Sequence, residues 1–258
     1  MPKFTNEQIA KFNEDGFVIV ENLFDEEEMD LLLTIAKADK AMVDGAIERL
    51  DGEGNVTRLA LRNEIGDDLY STIAAGERIV RPMEQVLGGE VYHYHHKMAL
   101  KEPRTGGAWE WHQDYGYWYD NGCLFPYMAS CLIAVDEATR ENGCLQVLRG
   151  SHHMGRMNHI TVGEQTGADP ERVAEAEKQM ELLYCEMKPG TAVFFHGNTL
   201  HRSDANKSEN PRWSLICCYN AARNNPYKEH HHPCYTPLAV QADARVKEVG
   251  QKELSALA

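Results

Sequence analysis

The chain has 258 residues, with 26 Lys plus Arg against 40 Asp plus Glu and a formal charge of −14. That length suits one sizeable domain with a real core, and the acidic balance opposes nucleic acid and anionic membranes, whose binding rests on cationic contacts to phosphates. No cationic segment leading into an apolar run opens the sequence and no window reaches the roughly 18 apolar residues of a spanning helix, so a soluble, cytoplasmic protein is expected.

The first third reads as helices with short strands between them. A helix is expected from Asn6 to Asp15, then a strand in GFVIVENLF, where β-branched residues cluster. Asp25 opens DEEEMDLLLTIAKADK as an N-cap, with Glu28 three residues on as in a capping box and acidic residues in the first turn, where the helix dipole favours them. A further helix is expected over Glu77 to Val86, closed by Gly88-Gly89.

From Val91 the texture changes to short β-branched, aromatic and small apolar runs: VYHYHHKMAL, YMASCLIAV, GCLQVLRG, TAVFFH and RWSLICCYNAA. Turn signals such as Asn142-Gly143 and Lys188-Pro189-Gly190 separate them. Strands at this spacing argue for an antiparallel sandwich or barrel with flanking helices, a mainly β, α+β class. One segment, ADPERVAEAEKQMELLY, interrupts the pattern as a helix starting near Asp169-Pro170. No repeat, low-complexity linker or Gly-rich phosphate loop divides the chain. It is therefore expected to be one domain over 1–258: helical support to about residue 90, a β core over 91–225 and an extension over 226–258. The seven cysteines are odd in number and scattered without a C-x-x-C pair, so they are expected to be reduced and mostly buried.

The chemistry centres on WEWHQDYGYWYDNG. His112 and Asp114 are one residue apart, and on an extended strand such residues face the same side, so both reach one metal ion. Two His and one carboxylate make the facial triad of non-haem iron(II) oxygenases, which leaves coordination positions open. His196 and His201 compete for the third place. Arg212 favours His201, since it follows eleven residues later across a turn-forming SDANKSENP and an arginine fork there suits a dicarboxylate whose other end chelates the metal. Ser203, two residues past His201, is placed to assist the same carboxylate. His196 is left to packing or hydrogen bonding.

With His112-Gln113-Asp114, ENGCLQVLRGSH (Glu141 to His152), KPGTAVFFH leading into LHRSDANKS, and Arg212, the chain resembles the phytanoyl-CoA dioxygenase family of iron(II)/2-oxoglutarate oxygenases. FNEDGFVIVENLF also resembles the opening of family members, and the similarity runs from about Phe4 to Asn225. The resemblance implies a double-stranded β-helix, the jelly-roll, cupin-like core. It implies that His112, Asp114 and His201 bind Fe(II), that Arg212 and Ser203 bind the remote carboxylate of 2-oxoglutarate, and that Lys97 lies on a strand lining the cosubstrate pocket. It also implies hydroxylation of an unactivated C–H bond with O2, releasing succinate and CO2, with ascorbate as a supporting reductant. Halogenating relatives lack the carboxylate that Asp114 supplies, so hydroxylation or another oxidation is favoured over halogenation.

Tyr115, Tyr117, Trp118 and Tyr119 are expected in a loop at the mouth of the site, shaping a substrate pocket. One or two of His93, His95 and His96 are expected to face it, His95 among them. Arg202 should point to the opposite strand face, and His230-His231-His232 should form a solvated or lid loop before a weak C-terminal helix. The substrate class is a small polar metabolite, amino-acid-like, a phosphonate or a natural-product intermediate, for which Lys97, Lys101 and Arg104 are suitable if they line the cavity. An acyl-CoA hydroxylase of the same family, a metal-dependent dioxygenase without 2-oxoglutarate and a cupin-type binding protein remain the alternatives.

Overall fold

Thr5 and Gln8 start the first helix by reciprocal hydrogen bonds, Gln8 N to Thr5 Oγ1 at 3.2 Å and Thr5 N to Gln8 Oε1 at 2.9 Å. Asp25 and Glu28 do the same for the second, at 3.0 Å in each direction. The computed structural model describes residues 3–162 and 164–257. The N-terminal part runs α1 (Asn6–Asp15), β1 (Phe17–Val20), α2 (Glu26–Ala38), α3 (Lys40–Asp44), β2 (Ile47–Leu50), β3 (Val56–Arg62), α4 (Leu69–Ala74) and α5 (Glu77–Leu87). There follow β4 (Val91–Lys101), β5 (Trp109–His112), α6 (Asp114–Asp120), β6 (Met128–Ala134) and β7 (Leu145–Leu148). The remainder is β8 (His159–Val162), β9 (Gln165–Ala168), α7 (Pro170–Gln179), β10 (Leu182–Cys185), β11 (Ala192–His196), β12 (His201–Ser203), β13 (Arg212–Ala221) and α8 (Arg245–Leu257).

A seven-stranded sheet has the order β1-β11-β6-β13-β4-β3-β2 and a four-stranded sheet the order β10-β7-β12-β5. Their pairings are antiparallel. Setting β8 and β9 aside, the chain from β4 onward supplies β4, β6, β11 and β13 to the larger sheet and β5, β7, β10 and β12 to the smaller. This is the double-stranded β-helix. Period-two alternation sorts the side chains: Cys131, Ile133, Ala192, Phe194, Leu215 and Cys217 face the N-terminal helices, while Leu132, Val193 and Phe195 face Leu145 and Val147 of the smaller sheet. The helices thus cover one face of the larger sheet and leave the inter-sheet space for a site.

Two expectations change. The helix of the 168–184 segment stops at Gln179, because the apolar run after it, Leu182 to Cys185, pairs with Leu148 to Leu145 of β7. The C-terminal helix α8 is a full 13 residues and buries Val246 and Val249 against α2, with Gly250 set so close to Leu31 that a Cβ there would lie 3.0 Å from its Cδ1. All seven cysteines are free, and only Cys234 is exposed. Among the described residues no helix is long and apolar enough to cross a membrane.

Two buried histidines and a half-buried third, all outside the site, tie stability to pH. His93 Nε2 and His96 Nδ1 lie 2.9 Å apart. Burial, aided by His96, pulls His93 down to about 3, and burial, aided by Arg62, pulls His96 to about 4. His196 is likewise brought to about 4 by burial beside His152 and His153. An unfolded histidine takes its proton near pH 6.5. The stability gained by keeping these rings neutral is therefore complete above about pH 6.5 and declines as pH falls below it, because the unfolded chain binds protons that the fold refuses. The urea midpoint is expected to drop between pH 7 and pH 5, and to drop less in His196→Gln; equal slopes in the two proteins would contradict this origin.

Candidate metal and cosubstrate site

His112 ends β5 and His201 begins β12, and the two are register partners across the small sheet. Their rings lie 4.1 Å apart by centroid. Each is oriented by its own backbone: His112 Nδ1 lies 2.7 Å from the Glu110 carbonyl and His201 Nδ1 2.9 Å from the Thr199 carbonyl. A carbonyl only accepts, so both Nδ1 atoms carry the proton and both Nε2 atoms present lone pairs.

The sequence expectation that Asp114 continues the strand is corrected. Strand pairing ends at His112, Gln113 stays extended at φ −114°, ψ 131°, and Asp114 is the first residue of α6. The turn is fixed by the fully buried Gln113 side chain, whose Nε2 donates to the carbonyls of Gly155 (2.8 Å) and Asn198 (2.7 Å) and whose Oε1 accepts from Met157 N (2.7 Å). Asp114 Oδ1 lies 3.9 Å from each Nε2, and Oδ2 accepts from Ser130 Oγ at 2.6 Å. Burial works against the Asp114 carboxylate, but Lys97, His201, His112 and the Ser130 hydroxyl outweigh it, so the group stays ionised. Burial holds both ligand histidines low; His201 adds to this for His112, while Asp114 opposes it for His201.

The three donor atoms lie within 4.8 Å of one another, and two bare imidazole nitrogens with one free carboxylate oxygen fit Fe(II). Ser130→Ala is expected to weaken iron binding about 10-fold to 100-fold, the usual effect of removing a partner that orients a ligand. Unchanged affinity by equilibrium dialysis would show that Asp114 needs no such support.

Arg212 is almost wholly buried, donates from Nη1 to Ser214 Oγ at 3.1 Å, and has no partner for Nε. No carboxylate pairs with it among the described residues. Burial lowers its pKa only to about 10, so it remains a cation needing an anion. Its cross-strand neighbour is Lys101, also buried, whose Nζ donates to Ser203 Oγ at 2.9 Å and to the Asp204 carbonyl. With that lone pair engaged, the Ser203 hydroxyl keeps its proton for another acceptor.

A cavity of about 570 Å³ between the sheets joins these groups. It is lined by His112, Asp114, His201, Ser203, Arg212, Lys97, His95, Tyr117 and Trp118, with Leu132, Leu145, Phe195 and Ile216 as apolar wall. Tyr115 is not among them. The residues 115–119, expected in a loop, form α6, which turns Tyr115 into a core of Tyr92, Tyr94 and Trp118 with its hydroxyl donating to the Cys123 carbonyl at 3.0 Å. Of the β4 histidines only His95 lines the cavity. Tyr94 is an extra residue opposite the Cys218/Tyr219 step, a bulge that breaks simple alternation. Arg104 is exposed and paired with Glu209. Arg202 also borders the cavity, while its Nε donates to Gln146 Oε1 at 3.0 Å and its guanidinium lies over Trp111. His196 lies outside the cavity and accepts from Asn198 N at 3.0 Å. Sequence reading missed Gln113, Ser130 and Lys101 in these roles. Only Ser130 left a trace, as the lone hydroxyl in an otherwise apolar strand.

The family described as phytanoyl-CoA dioxygenase (PhyH) matches residues 12–214. The L-proline trans-4-hydroxylase of Streptomyces griseoviridis is 29% identical over 194 residues, 69% of this chain and 71% of that protein. The ectoine dioxygenase of Bordetella parapertussis is 28% identical over 244 residues, 86% of this chain and 78% of that one. The crystal structure of EctD from S. alaskensis with 2-oxoglutarate and 5-hydroxyectoine superposes with a TM-score of 0.77 at 25% identity, covering 93% of this chain and 88% of that one. With the family match spanning most of its length, the chain belongs to the phytanoyl-CoA dioxygenase family of iron(II)/2-oxoglutarate oxygenases.

Proposed function

We propose that the protein is an Fe(II)- and 2-oxoglutarate-dependent oxygenase that hydroxylates a small polar metabolite. The observation that carries this reading is the pairing, in one cavity, of a two-His, one-carboxylate donor set with a buried arginine that has no paired carboxylate among the described residues. His112, Asp114 and His201 hold the metal, and Arg212 with Ser203 grips the distal carboxylate of the cosubstrate, Lys101 fixing the Ser203 hydroxyl. When bound, iron(II) with 2-oxoglutarate supplies the oxidant from O2, at the expense of decarboxylation to succinate and CO2. The chain's own contribution is orientation and dryness: Leu132, Leu145, Phe195 and Ile216 exclude water around the charged groups, so the Arg212 contact is strong and selective.

The hydroxylase of L-proline and the dioxygenase named for ectoine both point to a small polar substrate. A cavity of about 570 Å³, shared with the cosubstrate, supports that class over a CoA thioester. We place the enzyme in the cytoplasm as a single oxygenase domain. The test is a screen of amino acids and compatible solutes for succinate release that requires Fe(II), O2 and 2-oxoglutarate together. Product bearing one added oxygen per succinate supports the reading, and turnover that persists without 2-oxoglutarate overturns it.

A further inference from the structure

One stretch of cavity wall carries polar groups that make no hydrogen bond to the metal ligands or to the Arg212 end. Lys97 lines the cavity and has no hydrogen-bond or ion-pair partner among the described residues. On the β4–β13 register Lys97 stands opposite Ile216 and Lys101 opposite Arg212, four residues and about 13 Å along the strand. Lys97 is thus remote from the distal-carboxylate end. Beyond the effects of burial, its charge acts on Asp114 and on the rings of His95 and His232, which sets it between the metal ligands and the C-terminal segment.

That segment, after β13, borders the cavity through His231 and His232. The His232 ring stacks on His95 at 4.5 Å and 26°. Asn63 fixes it in one tautomer. Asn63 Nδ2 donates to the His231 carbonyl at 2.8 Å, which leaves Oδ1 facing His232 Nδ1, also at 2.8 Å. An amide oxygen only accepts, so Nδ1 carries the proton and Nε2 is an unprotonated acceptor with no partner among the described residues. Burial, with His231 and His230, brings this ring down to about 3, so it is neutral at physiological pH. Beneath it His95, only 3% exposed, has a buried Nδ1 without a partner. Asp120 and Glu164 add negative charge to the lining and Arg49 adds positive.

We propose that this wall is a zwitterion subsite, in which Lys97 holds the carboxylate of a free amino or imino acid and His232 Nε2 accepts from its ammonium group. Asn63 is the positioning residue, and the His95 ring is the platform on which His232 stacks. The proposal rests on the oxygenase reading and narrows its substrate class. It assigns Lys97 to the substrate instead of to 2-oxoglutarate, and it requires both charges of the ligand: acylating the amine removes the donor that His232 meets, and esterifying the acid removes the anion that Lys97 meets.

The test titrates the Fe(II)- and 2-oxoglutarate-loaded enzyme anaerobically with the proteinogenic L-amino acids, and with the N-acetyl and methyl ester derivative of each that binds. Binding is read both as a change in the visible band of the chelated cosubstrate and as quenching of tryptophan fluorescence, since Trp109 and Trp118 line the cavity; the fluorescence arm is repeated on metal-free protein. Free amino acids are expected to bind, with each derivative at least tenfold weaker. His232→Phe, which keeps the stack, should erase the penalty of acetylation alone, as should Asn63→Leu, and Lys97→Met should erase the penalty of esterification alone. All three should leave 2-oxoglutarate affinity within threefold. The subsite is overturned if no amino acid binds while the chelate band forms, if derivatives bind as well as free acids, or if Lys97→Met weakens 2-oxoglutarate instead. Absence of the chelate band in wild type counts against the oxygenase reading itself, and the metal-free fluorescence arm still decides the subsite.

Discussion

Replacing Arg212 by Ala is expected to raise the 2-oxoglutarate concentration for half-saturation by about 100-fold or more while iron affinity stays within about threefold. A charge-assisted hydrogen bond contributes roughly 1.5–3 kcal/mol, and a guanidinium fork on a carboxylate supplies two. Each 1.4 kcal/mol is a factor of about ten. The fold should tolerate the change, because among the described residues no carboxylate pairs with Arg212 and none is stranded when it goes. Arg212→Lys should recover part of the affinity, since an ammonium keeps the charge but not the two-pronged geometry. Equal losses of iron and 2-oxoglutarate, measured by equilibrium dialysis and by titration, would mean that the arginine supports the whole cavity.

The second large effect lies at the metal. His112→Ala and Asp114→Ala are each expected to abolish iron retention and turnover while leaving the β-helix folded. Each ligand sits at the edge of an element: His112 is the last residue of β5, and Asp114 the first of α6 with one side-chain bond, to Ser130. Removing Asp114 strands a single hydroxyl, a cost of about 1–3 kcal/mol, and the turn itself is held by Gln113. The melting temperature should fall no further than chelation lowers it in wild type. A much larger fall would assign these side chains a structural role.

What the sequence made legible follows the range of the interactions. The capping boxes at Thr5 and Asp25 lie within four residues, and of these the one at Asp25 was read directly from the sequence. The strand runs announced the two-sheet core because period two sorts apolar residues onto both faces. His112, His201, Ser203 and Arg212 were visible by spacing, and the structure brings all four to one cavity.

Asp114 falls on the same side as His112 because Gln113 between them is extended, but nothing local shows that a buried glutamine will cap a helix there and end the strand. The same helix start explains why Tyr115 turns into the core. Lys101 acquires meaning only through its register with Arg212, and His232 only through Asn63, 169 positions away, so both depend on contacts no local pattern encodes. The helix read through residue 184 failed at its end because the pairing of Leu182 to Cys185 with β7 overrides local propensity.

Whether His112, Asp114 and His201 hold iron while Arg212 anchors 2-oxoglutarate beside it is decided by anaerobic titration of the Fe(II)-loaded protein with 2-oxoglutarate, watching for the weak visible charge-transfer band of a chelated 2-oxo acid. A saturable band is expected in wild type, with its loss in His201→Ala and its appearance only at far higher 2-oxoglutarate in Arg212→Ala. No band in wild type with iron shown to be bound, or an Arg212→Ala titration that overlays wild type, would contradict these roles.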